Sequence, residues 1–296
     1  MQSGFYKYHP FISFLYFFIV IGFSLYLNNP LCLIISFVAS VFVALSINNK
    51  QNLSFLVKLC LPMSLLAAVI NPLFNHRGTK ILLYFSNGNP VTLESIFYGV
   101  FMGLMLMAVV FWFSSFNKII TTDKFIYLFG KIIPAISLVL SMALRFFGKF
   151  KAQMQSVIES QKAIGKDLEN GSLINKIKVV VSVFVIMISW SFENAVDTAD
   201  SMKSRGYGLK KRTTFSNYRF YNKDKLMLIF LMFCTAVLCY GIFSGVFNFS
   251  YFKGNGFNEI TLKTVPFYII YFAVCVSPAI INLKEEIKWK ALASKI

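Results

Sequence analysis

Few residues in this sequence could do chemistry, and the regularly spaced ones lie between positions 193 and 207. Glu193, Asp197 and Asp200 recur at i, i+4 and i+7, which places three carboxylates along one helical face. Such a stripe is either a solvated surface or a partner for the basic residues beside it. It is also the only acidic cluster that could serve an enzyme working at an interface.

The next residues predict a helix end that can bind a partner. Ala195, Ala199 and Met202 share a face on which small side chains let another backbone approach closely. We expect the helix to end near Arg205, with Gly206 in the left-handed conformation of a helix C-cap. Arg205 is placed favourably against the helix dipole, and its guanidinium can offer a two-pronged fork to oxygen acceptors. It is either a capping cation or a binding group.

Several kinds of catalytic site are excluded by the sequence. No Gly-x-x-x-x-Gly-Lys-Ser/Thr is present, so the chain has no phosphate-binding loop of its own. The two histidines, His9 and His76, are isolated, which argues against a metal or His-based catalytic site. The five cysteines lie in apolar segments without a Cys-x-x-Cys pair. We therefore expect no cofactor, no metal and no catalysis by this chain.

The elements that hold these residues belong to a membrane protein. Hydrophobic residues make up 57% of the chain and charged residues only 14%, well below the quarter typical of soluble domains. A helix crosses the hydrocarbon core with about 17–25 apolar residues. Six segments qualify, and the first is interpreted as an uncleaved span rather than a signal peptide. They are residues 11–27, 31–47, 53–74, 96–116, 226–249 and 264–283.

Two shorter apolar runs, residues 132–144 and 179–192, are interpreted as buried or interfacial helices rather than spans. Four clusters hold 22 of the 29 Lys and Arg residues, and keeping both runs inside places all four clusters on the cytoplasmic face. Both termini are then cytoplasmic. This asymmetry favours a lipid bilayer over nucleic acid as the reason for the net charge of +17.

The predicted fold is an all-α integral membrane protein with about six transmembrane helices and amphipathic helices on the cytoplasmic face. Residues 1–116 hold four spans, residues 117–225 form a cytoplasmic region, and residues 226–296 hold two spans and a tail. Turn signals around the extended run 81–85 suggest a small hairpin or re-entrant lid, with a plain connecting loop as the alternative.

The segment from Ala199 to Tyr207, with Lys211-Arg212-Thr213 after it, resembles a signature of one transporter family. This is the transmembrane T component of energy-coupling factor (ECF) transporters, which includes the cobalt transport permeases. The family pattern there is Ala-x-Ala-Met-x-Ala-Arg-Gly-Tyr with a later Arg-Thr. Upstream residues also match the family's pattern: Thr121-Thr122, Pro134, Arg145-Phe146 and Gln161-Lys162-Ala163.

The sequence departs from the family pattern mainly at a first Ala-Arg-Gly motif, where it has Ala163-Ile164-Gly165. Ser204 also replaces an alanine, Gly148 a proline and Gln153 a glutamate. Ile164 could dock on a partner through apolar contact. Alternatively, it packs inside this chain while Lys162 or Lys166 supplies the missing charge.

The resemblance implies a scaffold that hydrolyses nothing itself. Two cytoplasmic ABC ATPase subunits would bind its coupling helices, and a membrane S component would deliver a vitamin or a transition-metal ion such as cobalt, in the cell membrane of a bacterium. The implied ATPase-coupling residues are Ala163, Ile164, Gly165, Ala199, Met202, Ser204, Arg205, Gly206 and Tyr207. The supporting residues are Arg145, Lys162, Lys166 and Arg212.

Two other classes of function stay open at this point. A membrane-embedded lipid-modifying enzyme would use the Glu193, Asp197 and Asp200 carboxylates at the membrane surface. A secondary carrier would need an ionisable residue inside a span, and none of the six spans has an Asp or Glu in its interior. The sequence leaves the transported substrate open.

Overall fold

The structure is a computed structural model that describes residues 4–47, 50–84, 90–130, 134–166, 173–209, 218–252 and 264–293. These residues form a short 3-10 helix, nine α-helices and one two-stranded hairpin. In chain order they are the 3-10 helix Gly4–Lys7, α1 Pro10–Tyr26, α2 Pro30–Ile47, α3 Lys50–Phe74, β1 Ile81–Tyr84, β2 Pro90–Thr92, α4 Leu93–Ile119, α5 Thr122–Gly130, α6 Pro134–Ala163, α7 Leu173–Ser204, α8 Asn222–Phe243 and α9 Val265–Ala293. The predicted all-α membrane class is confirmed.

The chain divides into two compact units. The first unit comprises Met1–Phe125 and Tyr218–Ile296, and the second comprises Ile126–Asn217. Each of the six predicted spans coincides with a helix of the first unit, namely α1, α2, α3, α4, α8 and α9. The second unit contains α6 and α7.

Five helices of the described chain are long and apolar enough to cross a membrane: α2, α4, α7, α8 and α9. The helix α1, with 17 residues, and the apolar part of α3, Cys60–Phe74, are shorter. The helix α7 is therefore a candidate span by length and composition, although the sequence analysis assigned its apolar run to the cytoplasmic face.

The two short apolar runs lie within helices that are much longer than the runs themselves. The run 132–144 contributes to α6, which has 30 residues, and the run 179–192 is the middle of α7, which has 32. The residues that follow the run in α6 include good helix formers such as Lys, Gln, Glu and Ala, and those that follow the run in α7 contain no Gly or Pro before Gly206. Helical hydrogen bonding therefore continues beyond the apolar segment that hydropathy detects.

The helices α1 and α9 run antiparallel in the first unit. Before α1, the Phe5 amide donates a hydrogen bond of 2.9 Å to Asn282 Oδ1, late in α9. After α1, the Asn29 side chain donates a hydrogen bond of 3.2 Å to the hydroxyl of Tyr268, early in α9. The segment that precedes α1 and the charged last turns of α9 therefore lie at the same end of this unit.

A polar network joins four helices inside the apolar core of the first unit. Ser24 Oγ and Ser36 Oγ are 2.6 Å apart, and the Trp112 indole donates to Ser36 Oγ at 3.1 Å. Ser24 is also 3.4 Å from the Tyr271 hydroxyl. Because these residues are buried, their polar groups bond to one another, since a buried polar group without a partner is costly. The network fixes the register of α1, α2, α4 and α9.

Two glycines of α4 allow α3 to approach closely. A Cβ added at Gly99 would lie 2.8 Å from the Ala68 carbonyl oxygen, and one added at Gly103 would lie 2.8 Å from the Ser64 carbonyl oxygen. The four-residue spacing places both glycines on one face of α4, opposite small residues of α3. This is the small-residue packing that stabilises helix pairs in membranes.

The predicted hairpin is confirmed: β1 pairs with β2 in an antiparallel sheet. Its base is held by Glu94, whose Oε1 accepts hydrogen bonds from the Thr79 hydroxyl at 2.8 Å and the Lys80 amide at 3.1 Å. Thr92 caps α4, since its hydroxyl oxygen accepts from the Ser95 amide at 3.3 Å. The sheet therefore continues directly into α4.

Replacing Gly103 by alanine should destabilise the first unit. The new methyl group would meet the Ser64 backbone, which cannot rotate away, so we expect a loss of about 1–3 kcal/mol of unfolding free energy. Gly22→Ala is the matched control, because a Cβ there has no neighbour within 4 Å and alanine favours the helix. In thermal unfolding in detergent, Gly103→Ala should have a lower melting temperature than the unmodified protein. Gly22→Ala should have an equal or higher one. Equal melting temperatures would contradict the close contact between α3 and α4.

Candidate functional site

The candidate site begins where α7 ends, and the predicted helix C-cap is confirmed there. Gly206 has a φ of 76°, in the left-handed region. The Tyr207 amide donates to the Met202 carbonyl at 3.0 Å, and the Gly206 amide donates to the Lys203 carbonyl at 2.9 Å. This pair of bonds is the Schellman motif, which satisfies carbonyls at a helix end. It leaves the exposed Arg205 as the residue just before the left-handed glycine.

The end of α6 has the same geometry. Gly165 has a φ of 83°, the Lys166 amide donates to the Gln161 carbonyl at 3.0 Å, and the Gly165 amide donates to the Lys162 carbonyl at 3.0 Å. Ile164 therefore occupies at the end of α6 the position that Arg205 occupies at the end of α7. We call the two the Ile164 cap (residues 161–166) and the Arg205 cap (residues 202–207).

The exposure of Ile164 bears on one of the two sequence interpretations of this residue. Its side chain is 71% exposed, so the prediction that it packs inside this chain is wrong. The prediction that Lys162 or Lys166 supplies the missing charge stays open. Ala163, Lys162 and Lys166 are exposed beside it. An aliphatic side chain at a solvent-exposed helix end has apolar area available to a partner.

The helices α6 and α7 pack against each other in antiparallel fashion. The Phe146 and Trp190 rings stack with centroids 5.4 Å apart, while Val157, later in α6, shares an apolar cluster with Val179, earlier in α7. The two caps therefore lie at opposite ends of the α6–α7 pair. With a rise of about 1.5 Å per residue, they are separated by a distance on the order of 40 Å.

The α6–α7 pair also carries a large exposed apolar surface. The members on α6 are Ile136, Val139, Leu144 and Phe147, and those on α7 are Val180, Val181, Phe184, Val185, Ile188, Phe192 and Val196. Exposed apolar area on this scale marks a protein or membrane contact rather than a surface facing water.

The structure places the remaining predicted residues on exposed helix surface. Ala199 is exposed and Met202 is partly exposed, so the small-residue face of α7 is open to a partner. Arg145 is exposed on α6, and the Ser204 hydroxyl donates to the Ser201 carbonyl at 2.9 Å. Arg212 lies outside the described residues.

The acidic stripe of α7 forms no ion pair within the part of the chain that the structure describes. Glu193, Asp197 and Asp200 are exposed and form no ion pair with any residue that the structure describes. No group of three or more His, Cys, Asp or Glu residues that could hold a metal ion occurs in the described chain. The three carboxylates are exposed, and the basic residues Lys210, Lys211 and Arg212, with which they could pair, lie outside the described residues.

The aromatic contact that joins α6 to α7 was not predicted from the sequence. Phe146 and Phe150 are four residues apart on one face of α6, and both rings lie against Trp190. The spacing of the two phenylalanines was a usable signal, because aromatic residues at i and i+4 predict a contact face.

Comparison with known proteins identifies the family. A model of the CbiQ family, described as "Cobalt transport protein", matches residues 8–215, which include both caps. The chain belongs to the CbiQ family. It is 30% identical over 195 residues to "Energy-coupling factor transporter transmembrane protein EcfT 1" of Listeria monocytogenes serotype 1/2a (strain 08-5578), covering 62% of this chain and 72% of the relative.

Two further relatives carry the EcfT name. The protein of Staphylococcus aureus (strain 04-02981) is 24% identical over 248 residues, which cover 79% of this chain and 91% of the relative. The protein of Lactococcus lactis subsp. cremoris (strain MG1363) is 33% identical over 104 residues, 35% of this chain and 39% of the relative. The predicted resemblance to the T component of ECF transporters is confirmed, and this CbiQ-family member is a multi-pass membrane protein.

Proposed function

We propose that this chain is the non-catalytic membrane scaffold of an ECF-type ABC importer. It couples ATP hydrolysis by two cytoplasmic partner ATPases to uptake of a vitamin or a transition-metal ion through a membrane S component. The observation that carries the proposal is the repeated cap: two exposed helix ends with the same Schellman geometry stand at opposite ends of one antiparallel pair. Two sites with the same backbone geometry on one helix pair suit two partner subunits.

The caps suit docking on a soluble protein. Each cap satisfies the carbonyls of its own last turn, so the residue before the glycine is free to project into a groove of the partner. Arg205 offers charge-assisted hydrogen bonds, and Ile164 offers apolar area. The two docking sites are therefore chemically unequal, and the two ATPase subunits are either distinct chains or held asymmetrically.

The exposed apolar surface of the α6–α7 pair suits the S component. A membrane protein that packs on this surface would cover side chains that otherwise contact water. Motion of the two ATPases would then reach the S component through the α6–α7 pair. A membrane-embedded enzyme is disfavoured because Glu193, Asp197 and Asp200 are solvated and hold no described partner.

We place the second unit and both termini on the cytoplasmic side of a bacterial cell membrane. The basic clusters around α5 to α8 support this orientation, since cytoplasmic segments carry the excess of Lys and Arg. The length and apolar composition of α7 support the other topology, in which α6 and α7 both cross the membrane and the segment between them lies outside.

Cysteine labelling in intact cells tests this topology. With the exposed Cys239 replaced by serine, we expect Arg77→Cys, beside the hairpin, to react with a membrane-impermeant thiol reagent. Ser160→Cys, near the end of α6, and Ser201→Cys, near the end of α7, should stay unlabelled until the cells are permeabilised. Labelling of Ser160→Cys from outside would contradict the cytoplasmic assignment and favour two further spans.

Charge reversal at the Arg205 cap should release an ATPase. Arg205→Glu leaves the exposed helix end able to fold, but it removes one partner of a charge-assisted contact, which costs about 2–5 kcal/mol. We expect ATPase retention after solubilisation to fall by roughly thirtyfold or more. Lys151→Glu is the matched control, because it reverses an exposed charge in the middle of α6, away from both caps. Retention and uptake at normal levels in Arg205→Glu would make Arg205 a plain capping cation.

The Ile164 cap should hold its partner through the aliphatic side chain. Ile164→Ala is expected to weaken ATPase binding by about 1–3 kcal/mol, less than Arg205→Ala does. The comparison is a Lys162→Ala/Lys166→Ala double variant, which removes the nearby charge and keeps the isoleucine. Measuring ATPase binding by Ile164→Ala and by the double variant shows which side chains hold the partner. If the double variant loses the ATPase while Ile164→Ala retains it, docking at this cap depends on charge.

A further inference from the structure

The segment of residues 4–9 contacts the chain beside both points where it passes between the two units. The first unit includes the chain up to Phe125, and the second unit begins at Ile126. The chain enters the first unit again at Tyr218. Lys124 lies two residues before Ile126, and Phe220 and Asp224 lie two and six residues after Tyr218. All three belong to the first unit, and all three contact residues 4–9.

Lys124 makes the contact at the exit from the first unit. Its ammonium donates a hydrogen bond of 2.6 Å to the Tyr6 carbonyl and lies 4.0 Å from the centre of the Tyr6 ring. The residue is only 1% exposed, and the structure describes no ion pair for it. Burial lowers the pKa of Lys124 to about 8. Lysine is rarely buried without a carboxylate because desolvating the charge is costly.

Asp224 makes the contact at the return to the first unit. Its Oδ1 accepts from the His9 amide at 3.1 Å, and its Oδ2 accepts from the Tyr221 amide at 2.9 Å. Asp224 is only 3% exposed. Its carboxylate thus joins the start of α8 to the start of α1. The Phe220 ring lies 4.8 Å from the His9 ring, centre to centre, and extends the contact toward the unit boundary.

Residues 4–9 are themselves fixed on α9. The Phe5 side chain is completely buried, and the Phe5 amide donates to Asn282 at 2.9 Å. Lys7 forms an ion pair of 2.9 Å with Glu285 in the last turns of α9. Residues 4–9 therefore contact the chain near both unit boundaries and the last turns of α9, all within the first unit.

We propose that residues 4–9, with Lys124 and Asp224 as positioning residues, anchor both chain connections to the unit that carries the two caps. This inference rests on the proposed coupling function. A unit that transmits force from the ATPases needs fixed points in the membrane unit, because slack in either connection would absorb the motion. The anchor stays closed throughout the transport cycle. Its loss lowers the amount transported per ATP hydrolysed.

The test uses the full complex, coexpressed with the ATPase and S-component genes of its source and reconstituted in proteoliposomes. Uptake is measured with Co²⁺, riboflavin, thiamine and biotin as probes, together with ATP hydrolysis. In Lys124→Met and Asp224→Asn, we expect uptake to fall by about tenfold while hydrolysis stays within about twofold. Lys118→Met and Asp123→Asn, which change exposed residues nearby, are the matched controls and should behave as the unmodified complex.

The ratio of uptake to hydrolysis separates anchoring from a purely structural role. Uptake and hydrolysis that fall in proportion, or variants that fail to assemble, would make Lys124 and Asp224 folding residues and overturn the proposal. An unchanged ratio with normal uptake would overturn it as well. If the unmodified chain retains no ATPase and transports none of the probes, the proposed function is wrong. If both variants keep the normal ratio of uptake to hydrolysis, only the anchor proposal is wrong.

A disulfide tests whether the anchor stays closed. A Cβ built on Gly4 lies 3.2 Å from Glu285 Cβ, close to the spacing of about 3.5–4.5 Å that disulfides need. We expect the oxidised and reduced forms of Gly4→Cys/Glu285→Cys to transport equally within about twofold, with Gly4→Cys alone as the control for the oxidant. Uptake lost on oxidation and regained with reductant would show that residues 4–9 must detach, and it would overturn the static anchor.

Discussion

The stacking of Phe146 on Trp190, with the valine cluster beside it, is the contact on which the second unit depends. Because α6 and α7 meet there in antiparallel orientation, their C-terminal ends point away from each other. Local hydrogen bonding then gives both ends the same Schellman geometry, with Gly165 and Gly206 in the left-handed conformation. A repeated cap at opposite ends of one element is a physical basis for engaging two copies of a partner.

The first unit meets a different constraint, since its polar groups must find partners away from water. The buried polar side chains of one network bond to one another: Ser24, Ser36, Trp112 and Tyr271. The helices α3 and α4 also pack closely, backbone against backbone, at Gly99 and Gly103. Such packing leaves little freedom for adjustment. The first unit is therefore held by contacts between its own helices.

The sequence predicted the features that depend on local chemistry. The six apolar segments, the turn signals of the hairpin and the left-handed glycine after Arg205 all follow from residue type and short spacing. The lengths of α6 and α7 did not, because hydropathy measures the apolar segment whereas helical hydrogen bonding continues into polar residues. The contacts of Lys124 with Tyr6 and of His9 with Asp224 join residues more than a hundred positions apart, so no local pattern predicts them. The exposure of Ile164 likewise depends on tertiary packing.

The central claim is that each cap holds its own ATPase subunit. It is tested most directly by placing a photo-crosslinking amino acid at position 164, at position 205, or at both, in the assembled complex. The account predicts that each single variant captures one ATPase subunit and that the double variant yields a denaturation-resistant species with two. Placement at Ser156, exposed within α6, should capture none. A double variant that never captures more than one ATPase subunit would contradict the account.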